Sequence, residues 1–381
     1  MKLSEIVQRI NGNIDRFTTE LEFYIGGEHM ESSELEISNR GLLKENLGKL
    51  GFKFHFAFQE RDVLFMARNP HLRKAGMVMF SGLCSDATYV LRSKDENIIS
   101  QEFLAIQLQT DHFWDYCERT KVGSVNFANN WSSIANYDFD LPPINIQKEV
   151  ASKVWSAYRV KQSYRKLLNA LDDMVKSQFI EMFGSKSSGD KWPMKCLSEI
   201  VDPNCPISYG IVQPGDELED GVPIVRPVDL NSNYYVYKDG LKRTTEAISN
   251  SYKRTILRGD ELLLCVRGTT GVMGLATEEL KGGNVTRGIT PLYFKEGFNR
   301  IYLLGAFLSN DVQAYIKDNT VGSTLKGINM EKVRKIQIPI PPIELQNKWE
   351  EVFQQADKSK FELKKSIEAI DKVIKSLINN I

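Results

Sequence analysis

The sequence predicts an α+β protein with pseudo-two-fold organisation, in which two mixed α/β globular domains are joined by two long helices that pair as an antiparallel coiled coil. Three observations carry this. First, Gly123-Ser124 and Leu141-Pro142-Pro143-Ile144-Asn145-Ile146-Gln147 return 199 residues later as Gly322-Ser323 and Ile340-Pro341-Pro342-Ile343-Glu344-Leu345-Gln346. Second, behind each copy lies a stretch of nearly forty residues whose apolar positions are spaced alternately four and three apart, the seam of a coiled coil. Third, each stretch is preceded by a segment of domain size that mixes short apolar runs with polar loops. A unit duplicated within one polypeptide offers two similar surfaces, which suits a target that is itself two-sided.

The first domain is assigned to residues 1–140. Its clearest strand is Asp62-Val63-Leu64-Phe65-Met66-Ala67, an apolar run of buried-strand length, followed by the polar loop Arg68-Asn69-Pro70-His71-Leu72-Arg73-Lys74. The first long helix is assigned to 141–184. Pro142-Pro143 stands where a helix starts but cannot continue, and no Pro or Gly interrupts Ile144–Phe183. Its seam reads Val150, Val154, Ala157, Tyr164, Leu168, Leu171, Val175 and Met182, with Lys161 and Gln178 as breaks.

A plain flexible linker, Gly184-Ser185-Lys186-Ser187-Ser188-Gly189-Asp190, opens the second domain, which is assigned to 185–339 with the linker at 185–191. Leu197-Ser198-Glu199-Ile200 repeats Leu3-Ser4-Glu5-Ile6, and Tyr302-Leu303 and Tyr315 answer Phe103-Leu104 and Tyr116. Here Asp260-Glu261-Leu262-Leu263-Leu264-Cys265-Val266 is the buried-strand run and Arg267-Gly268-Thr269-Thr270-Gly271 its loop. The second long helix is assigned to 340–381, with the same seam and the same interior lysine, Lys360. A strip this narrow has nothing obvious to bury against except its duplicate. Parallel pairing would set Lys161 beside Lys360, whereas antiparallel pairing separates them and faces each with apolar neighbours, so antiparallel is expected.

Composition narrows the function. Lys and Arg number 49 and Asp and Glu 49, so no net charge draws the chain to nucleic acid, and residues 1–140 are acidic, with 15 basic against 20 acidic side chains. Binding to DNA would need local basic loops or help from partner subunits. Five scattered cysteines and four histidines signal neither a disulfide framework nor a zinc site, and the thiols are expected to be reduced and buried. The amino terminus has no apolar core of signal-peptide length and nowhere do about 18 apolar residues run together, which makes the cytoplasm the expected compartment.

Catalytic motifs are missing. An adenine methyltransferase needs Asn-Pro-Pro-aromatic, and Leu141-Pro142-Pro143-Ile144 lacks the asparagine; no glycine-rich phosphate loop occurs either. Asp260-Glu261, or Glu278-Glu279 with Lys281, has the composition of nuclease carboxylates but reads as solvated charge at loop edges. No cofactor is expected.

A duplicated unit closing each time with Pro-Pro-Ile-x-x-Gln into a long helix resembles the specificity subunits of type I restriction–modification systems. The resemblance covers nearly the whole chain. It is strongest at Ile338–Gln346, at Tyr209-Gly210-Ile211-Val212-Gln213-Pro214-Gly215 and at Arg258-Gly259-Asp260-Glu261-Leu262-Leu263. It is weaker in the first domain, where Arg61-Asp62 stands for Gly-Asp and Gly26-Gly27-Glu28-His29 for Val225-Arg226-Pro227-Val228-Asp229. The resemblance implies two target-recognition domains, each reading half of a split site in double-stranded DNA, with the helices as a spacer. It also implies a non-catalytic subunit on which two methyltransferase subunits and the restriction/translocase subunits assemble. The partners, not this chain, would then bind methyl donor, ATP and magnesium. Two other readings stay open: a coiled-coil scaffold without DNA specificity, and a self-sufficient methyltransferase or nuclease.

Arg and Lys read guanine, Asn and Gln read adenine, and hydroxyls and backbone amides hold phosphate. The DNA-binding candidates are therefore Arg68, Arg73 and Lys74 in the first domain and Arg267, Thr269, Thr270 and Arg287 in the second. Ser323, Thr324 and Lys326, with Gly123-Ser124-Val125-Asn126, are candidates for phosphate. Arg165, Lys166, Lys364 and Lys365, expected to face outward from the helices, are the candidates for docking the methyltransferase.

Overall fold

A computed structural model describes residues 1–184, 191–230, 234–322 and 326–381. The chain divides into two compact units, one formed by Met1–Lys166 with Leu363–Ile381 and the other by Leu167–Glu362. Each unit thus holds one globular domain, part of its own long helix and part of the other. The linker 185–190 lies outside the described residues.

In the first unit, strands β1 (Val7–Ile10), β9 (Thr88–Ser93), β6 (Val63–Met66), β7 (Ala75–Val78) and β3 (Glu36–Ile37) form one sheet in that order. A second sheet runs β4 (Gly41–Leu42), β2 (Phe23–Ile25), β8 (Gly82–Ser85) and β5 (Phe54–Phe58). Strand β6 is apolar on both faces because both are covered: Val63 and Phe65 pack with Phe103 and Leu104, and Leu64 and Met66 with Ile25, Cys84 and Val90. Burial pushes the Cys84 thiol up to about 12, so it is inert.

The second unit repeats this plan. Strands β12 (Tyr235–Val236), β15 (Met273–Ala276), β14 (Leu262–Cys265) and β17 (Ile289–Leu292) form the sheet equivalent to β3-β7-β6-β9. Strands β13 (Lys242–Thr244), β11 (Val222–Val225) and β16 (Asn284–Val285) repeat β4-β2-β8, including its parallel pairing. Leu262 and Leu264 face one core, Leu263 and Cys265 the other. The paired registers equate Asp62 with Glu261, not with Asp260 as the Gly-Asp alignment has it. Both carboxylates are buried and close the turn before the strand, Asp62 accepting from the Gln59 amide at 2.8 Å and Glu261 from the Arg258 amide at 2.5 Å. Glu261 is therefore a structural cap and not solvated charge, and burial raises its pKa.

The Pro-Pro-Ile-x-x-Gln motif has a structural role in both copies. Gln147 and Gln346 are buried on the first turns of the long helices, Ile144–Phe183 and Ile343–Asn379. Gln147 accepts from the Ser100 amide at 3.1 Å and donates to the Pro142 carbonyl at 2.8 Å; Gln346 does the same with Asn299 at 2.9 Å and Pro341 at 2.9 Å. Each glutamine thus ties the start of its long helix to the start of a core helix, Gln101–Gln107 or Arg300–Leu308. Gln346→Ala would orphan buried donors and acceptors. It is expected to destabilise the second unit by about 1–3 kcal/mol, read as a lower melting temperature.

Within each unit the two helical segments run antiparallel, as the sequence predicts, but the expected surroundings of the lysines are corrected. Lys161 is buried yet meets carboxylates, Glu34 at 2.9 Å and Asp371 at 2.7 Å, and Lys360 is ion-paired with Asp172. The pairs Lys161–Asp371 and Lys360–Asp172 are the same contact under the 199-residue repeat. The seam is also wider than expected. Ala151, Trp155 and Tyr158, one position beyond it, are buried in the first unit's core, and Phe179 and Phe183 are buried against Tyr302 and Trp349 in the second. The helices therefore bury against the globular domains as well as against each other.

Candidate nucleic-acid interface

The polar loop behind each central strand is held by a backbone clamp that repeats 199 residues apart. In the first unit Arg68 bridges Ala128, the Asn69 amide donates to Phe127 at 2.9 Å, and the Asn129 amide donates to Ala67 at 2.8 Å. In the second, Arg267 bridges Gly327, the Gly268 amide donates to Lys326 at 2.9 Å, and the Ile328 amide donates to Val266 at 3.0 Å. The clamp joins the strand's end to the segment ahead of the long helix, so Arg68 and Arg267 occupy equivalent, rigidly placed positions. Arg68 is exposed and Arg267 half-buried, its stem lying over Gly327.

Around Arg267 the second unit gathers more of the candidates. The Gly288 carbonyl accepts from the amides of Val266 at 2.7 Å and Arg267 at 3.2 Å, which sets exposed Arg287 alongside. Lys326 is exposed on the clamped segment. The Arg287 amide in turn donates to Ile211 at 2.7 Å. That bond is possible because residue 210 is glycine: a Cβ there would stand 2.2 Å from the Val285 carbonyl oxygen. The motif Tyr209–Gly215 therefore delivers Tyr209 and exposed Gln213 to this end of the domain, two candidates the sequence reading passed over. The glycine at the second position of that motif was the signal.

The other candidates divide. Thr269 is exposed at the loop tip, whereas the Thr270 hydroxyl is buried and has no hydrogen-bond partner among the described residues. Arg73, in left-handed conformation at φ 47°, is ion-paired with Asp111 at 2.5 Å, and this hydrogen bond is the main cause that holds the Asp111 carboxyl below its ordinary pKa. Lys74 donates to the Gly27 carbonyl at 2.7 Å. These two brace the loop from within, while the side-chain charges of Arg68, Arg267, Arg287 and Lys326 have no hydrogen-bond or ion-pair partner among the described residues. Unspent guanidinium and ammonium donors are what base edges and phosphates require. Ser323 and Thr324 lie outside the described residues.

The turn Gly26–His29 corresponds to Arg226–Asp229. In the first, the Gly26 amide donates to His29 Nδ1 at 3.0 Å; in the second, the Arg226 amide donates to Asp229 at 2.7 Å and the Arg226 guanidinium is locked onto the same carboxylate. On the helices, Lys166 and Lys365 are exposed and Lys364 is half-buried. Arg165 is not an outward charge: it pairs with buried Glu34 at 2.8 Å, so its replacement would disturb the first unit itself.

A family model described as the type I restriction modification DNA specificity domain matches residues 1–170 and again 190–371. The EcoBI specificity subunit of Escherichia coli, a type I restriction enzyme component, is 24% identical over 194 residues, 50% of this chain and 40% of that protein. The MjaIX specificity subunit of Methanocaldococcus jannaschii is 28% identical over 160 residues, 42% of this chain and 36% of that protein. The matched stretches thus span less than half the length of either relative. Two solved structures share the fold over 99% of this chain. One, from work on complex assembly and conformational transition of the type I R-M system, has a TM-score of 0.59 at 17% identity and is covered over 95% of its length. The other, a type I restriction–modification S subunit from M. genitalium, has a TM-score of 0.56 at 12% identity and is covered over 94%.

Proposed function

The chain belongs, through both its halves, to the family of type I restriction modification DNA specificity domains, and from that premise we propose that it chooses the DNA site for a type I restriction–modification complex. Each globular domain reads one half of a split duplex site, with the long helices as the spacer between the halves. Residues 1–140 and 185–339 serve as the two recognition domains, 141–184 and 340–381 as the spacer helices. The observation that carries this reading is the repeated clamp, which sets Arg68 and Arg267 at equivalent positions with guanidinium groups that have no partner among the described residues.

The chain acts as a non-catalytic subunit and takes no cofactor of its own. Methyl transfer and cleavage reside in methyltransferase and restriction/translocase partners that assemble on it in the cytoplasm. Among the described residues no helix is long and apolar enough to cross a membrane. Methylome sequencing of cells expressing the chain with its methyltransferase tests the reading: a bipartite methylated motif supports it, and methylation without sequence preference leaves only a coiled-coil scaffold.

Docking of the methyltransferase is assigned to the helix surfaces. Lys166→Glu with Lys365→Glu is expected to reduce co-purification of the partner several-fold at low salt and to leave the melting temperature unchanged, since exposed charges contribute little to stability. Undiminished co-purification in both low and high salt would move the dock elsewhere.

A further inference from the structure

The first domain carries two aromatic rings that its core does not use. Phe17 is 68% exposed and Phe52 81% exposed. Both belong to braced loops. Arg16 donates to the carbonyls of Leu50, at 2.9 Å, and Gly51, and its guanidinium lies 4.8 Å from the Phe17 ring. The Phe17 amide is held by Asp15 at 2.9 Å, and the Ile14 amide donates to His55 at 2.8 Å. The two rings thus flank a single arginine-to-carbonyl brace, and fixed loops hold them out in solvent.

Their place in the domain is also defined. Beside Phe52, the Lys53 carbonyl accepts from the Asp86 amide at 3.1 Å and the Lys53 ammonium pairs with the Asp86 carboxylate at 3.2 Å. The next residue, Ala87, accepts from the Ala67 amide at 2.8 Å, immediately before Arg68. The aromatic tip and the Arg68 loop therefore share one end of the domain, with exposed Lys49 beside the tip. A single exposed apolar residue needs no explanation, but two exposed aromatics on braced loops, at the same end of the domain as the Arg68 loop, match the device by which proteins unstack a base step.

We propose that Phe17 and Phe52 form an aromatic wedge that stacks into the duplex bound by the first domain, distorting one base step beside the half-site that Arg68 reads. This rests on the DNA-reading function proposed above. Apolar wedges hold a kinked step open by stacking on its faces, so they add affinity and deformation but little base readout.

The test uses the full chain co-purified with its methyltransferase and duplexes carrying 2-aminopurine at successive steps across the first half-site. The complex is expected to raise 2-aminopurine fluorescence at one step. Phe17→Ala with Phe52→Ala is expected to abolish that rise and to weaken duplex binding about tenfold or more, with the melting temperature and the preference at both half-sites unchanged. Phe17→Trp with Phe52→Trp is expected to retain the signal. Specific binding by the unaltered complex with no fluorescent step, or full affinity in the double alanine variant, would overturn the wedge alone. Loss of the methyltransferase, or a change in oligomeric state, with DNA binding intact would also overturn it by making the tip a protein contact. A complex with no preferred duplex would overturn both the wedge and the function on which it rests.

Discussion

Arg267→Ala is expected to relax or abolish base preference in one half-site and to leave the other half-site's preference unchanged. The side chain sits on a backbone clamp, has no partner among the described residues, and extends over Gly327, so its removal takes away a reader without disturbing the loop. A bidentate contact to guanine is worth about 1–3 kcal/mol of discrimination, and a loss of that size should appear at a single base position. Arg68→Ala, at the equivalent clamp, is expected to do the converse. Affinities for duplexes with every single-base change across both half-sites decide the matter. Uniform weakening at all positions would reduce the arginines to phosphate contacts, and unchanged specificity would remove them from the interface.

The equivalence of these two arginines was legible in the sequence only as two polar loops behind two apolar runs. The offset of 199 residues, visible at the Pro-Pro motifs, extends through the clamp hydrogen bonds, but backbone bonds leave no signature in residue type: Ala128 and Gly327 share no chemistry. The seam of the long helices was legible because a period near 3.5 survives in one dimension. Its widening at Trp155, Tyr158, Phe179 and Phe183 was not, since it depends on which face a globular domain covers. For the same reason Arg73, Lys74 and Arg165 looked like free surface cations. Their partners, Asp111, the Gly27 carbonyl and Glu34, are 38, 47 and 131 residues distant. Arg68 and Arg267 differ from them in that their side chains have no such partner among the described residues, a property that only the folded chain reveals.

Lys161→Met is expected to be among the most damaging substitutions in the first unit. Lys161 and Glu34 are 6% and 9% exposed, and the lysine joins the domain's carboxylate to Asp371 on the second long helix. Removing one partner of a buried pair typically costs about 3–5 kcal/mol, because the remaining charge stays desolvated. Arg165 still reaches Glu34 at 2.8 Å, which places the expected loss near the lower end, about 3 kcal/mol or roughly 6–12 °C in melting temperature. Adding Glu34→Gln should return part of that loss by removing the orphaned charge, a non-additivity that a double-mutant cycle measures. The pH dependence follows from the same geometry. Burial on its own would raise the Glu34 pKa, but hydrogen bonds and charge from Lys161 and Arg165 outweigh it and hold the carboxyl below its ordinary 4.5. A carboxyl depressed by folding contributes stability that is complete above its ordinary value and is lost as pH falls through the folded one. Denaturant unfolding of the unaltered protein and of Lys161→Met should therefore differ most near neutrality and converge as the solution is taken below 4.5. A difference independent of pH would show that Lys161 stabilises by its aliphatic stem alone.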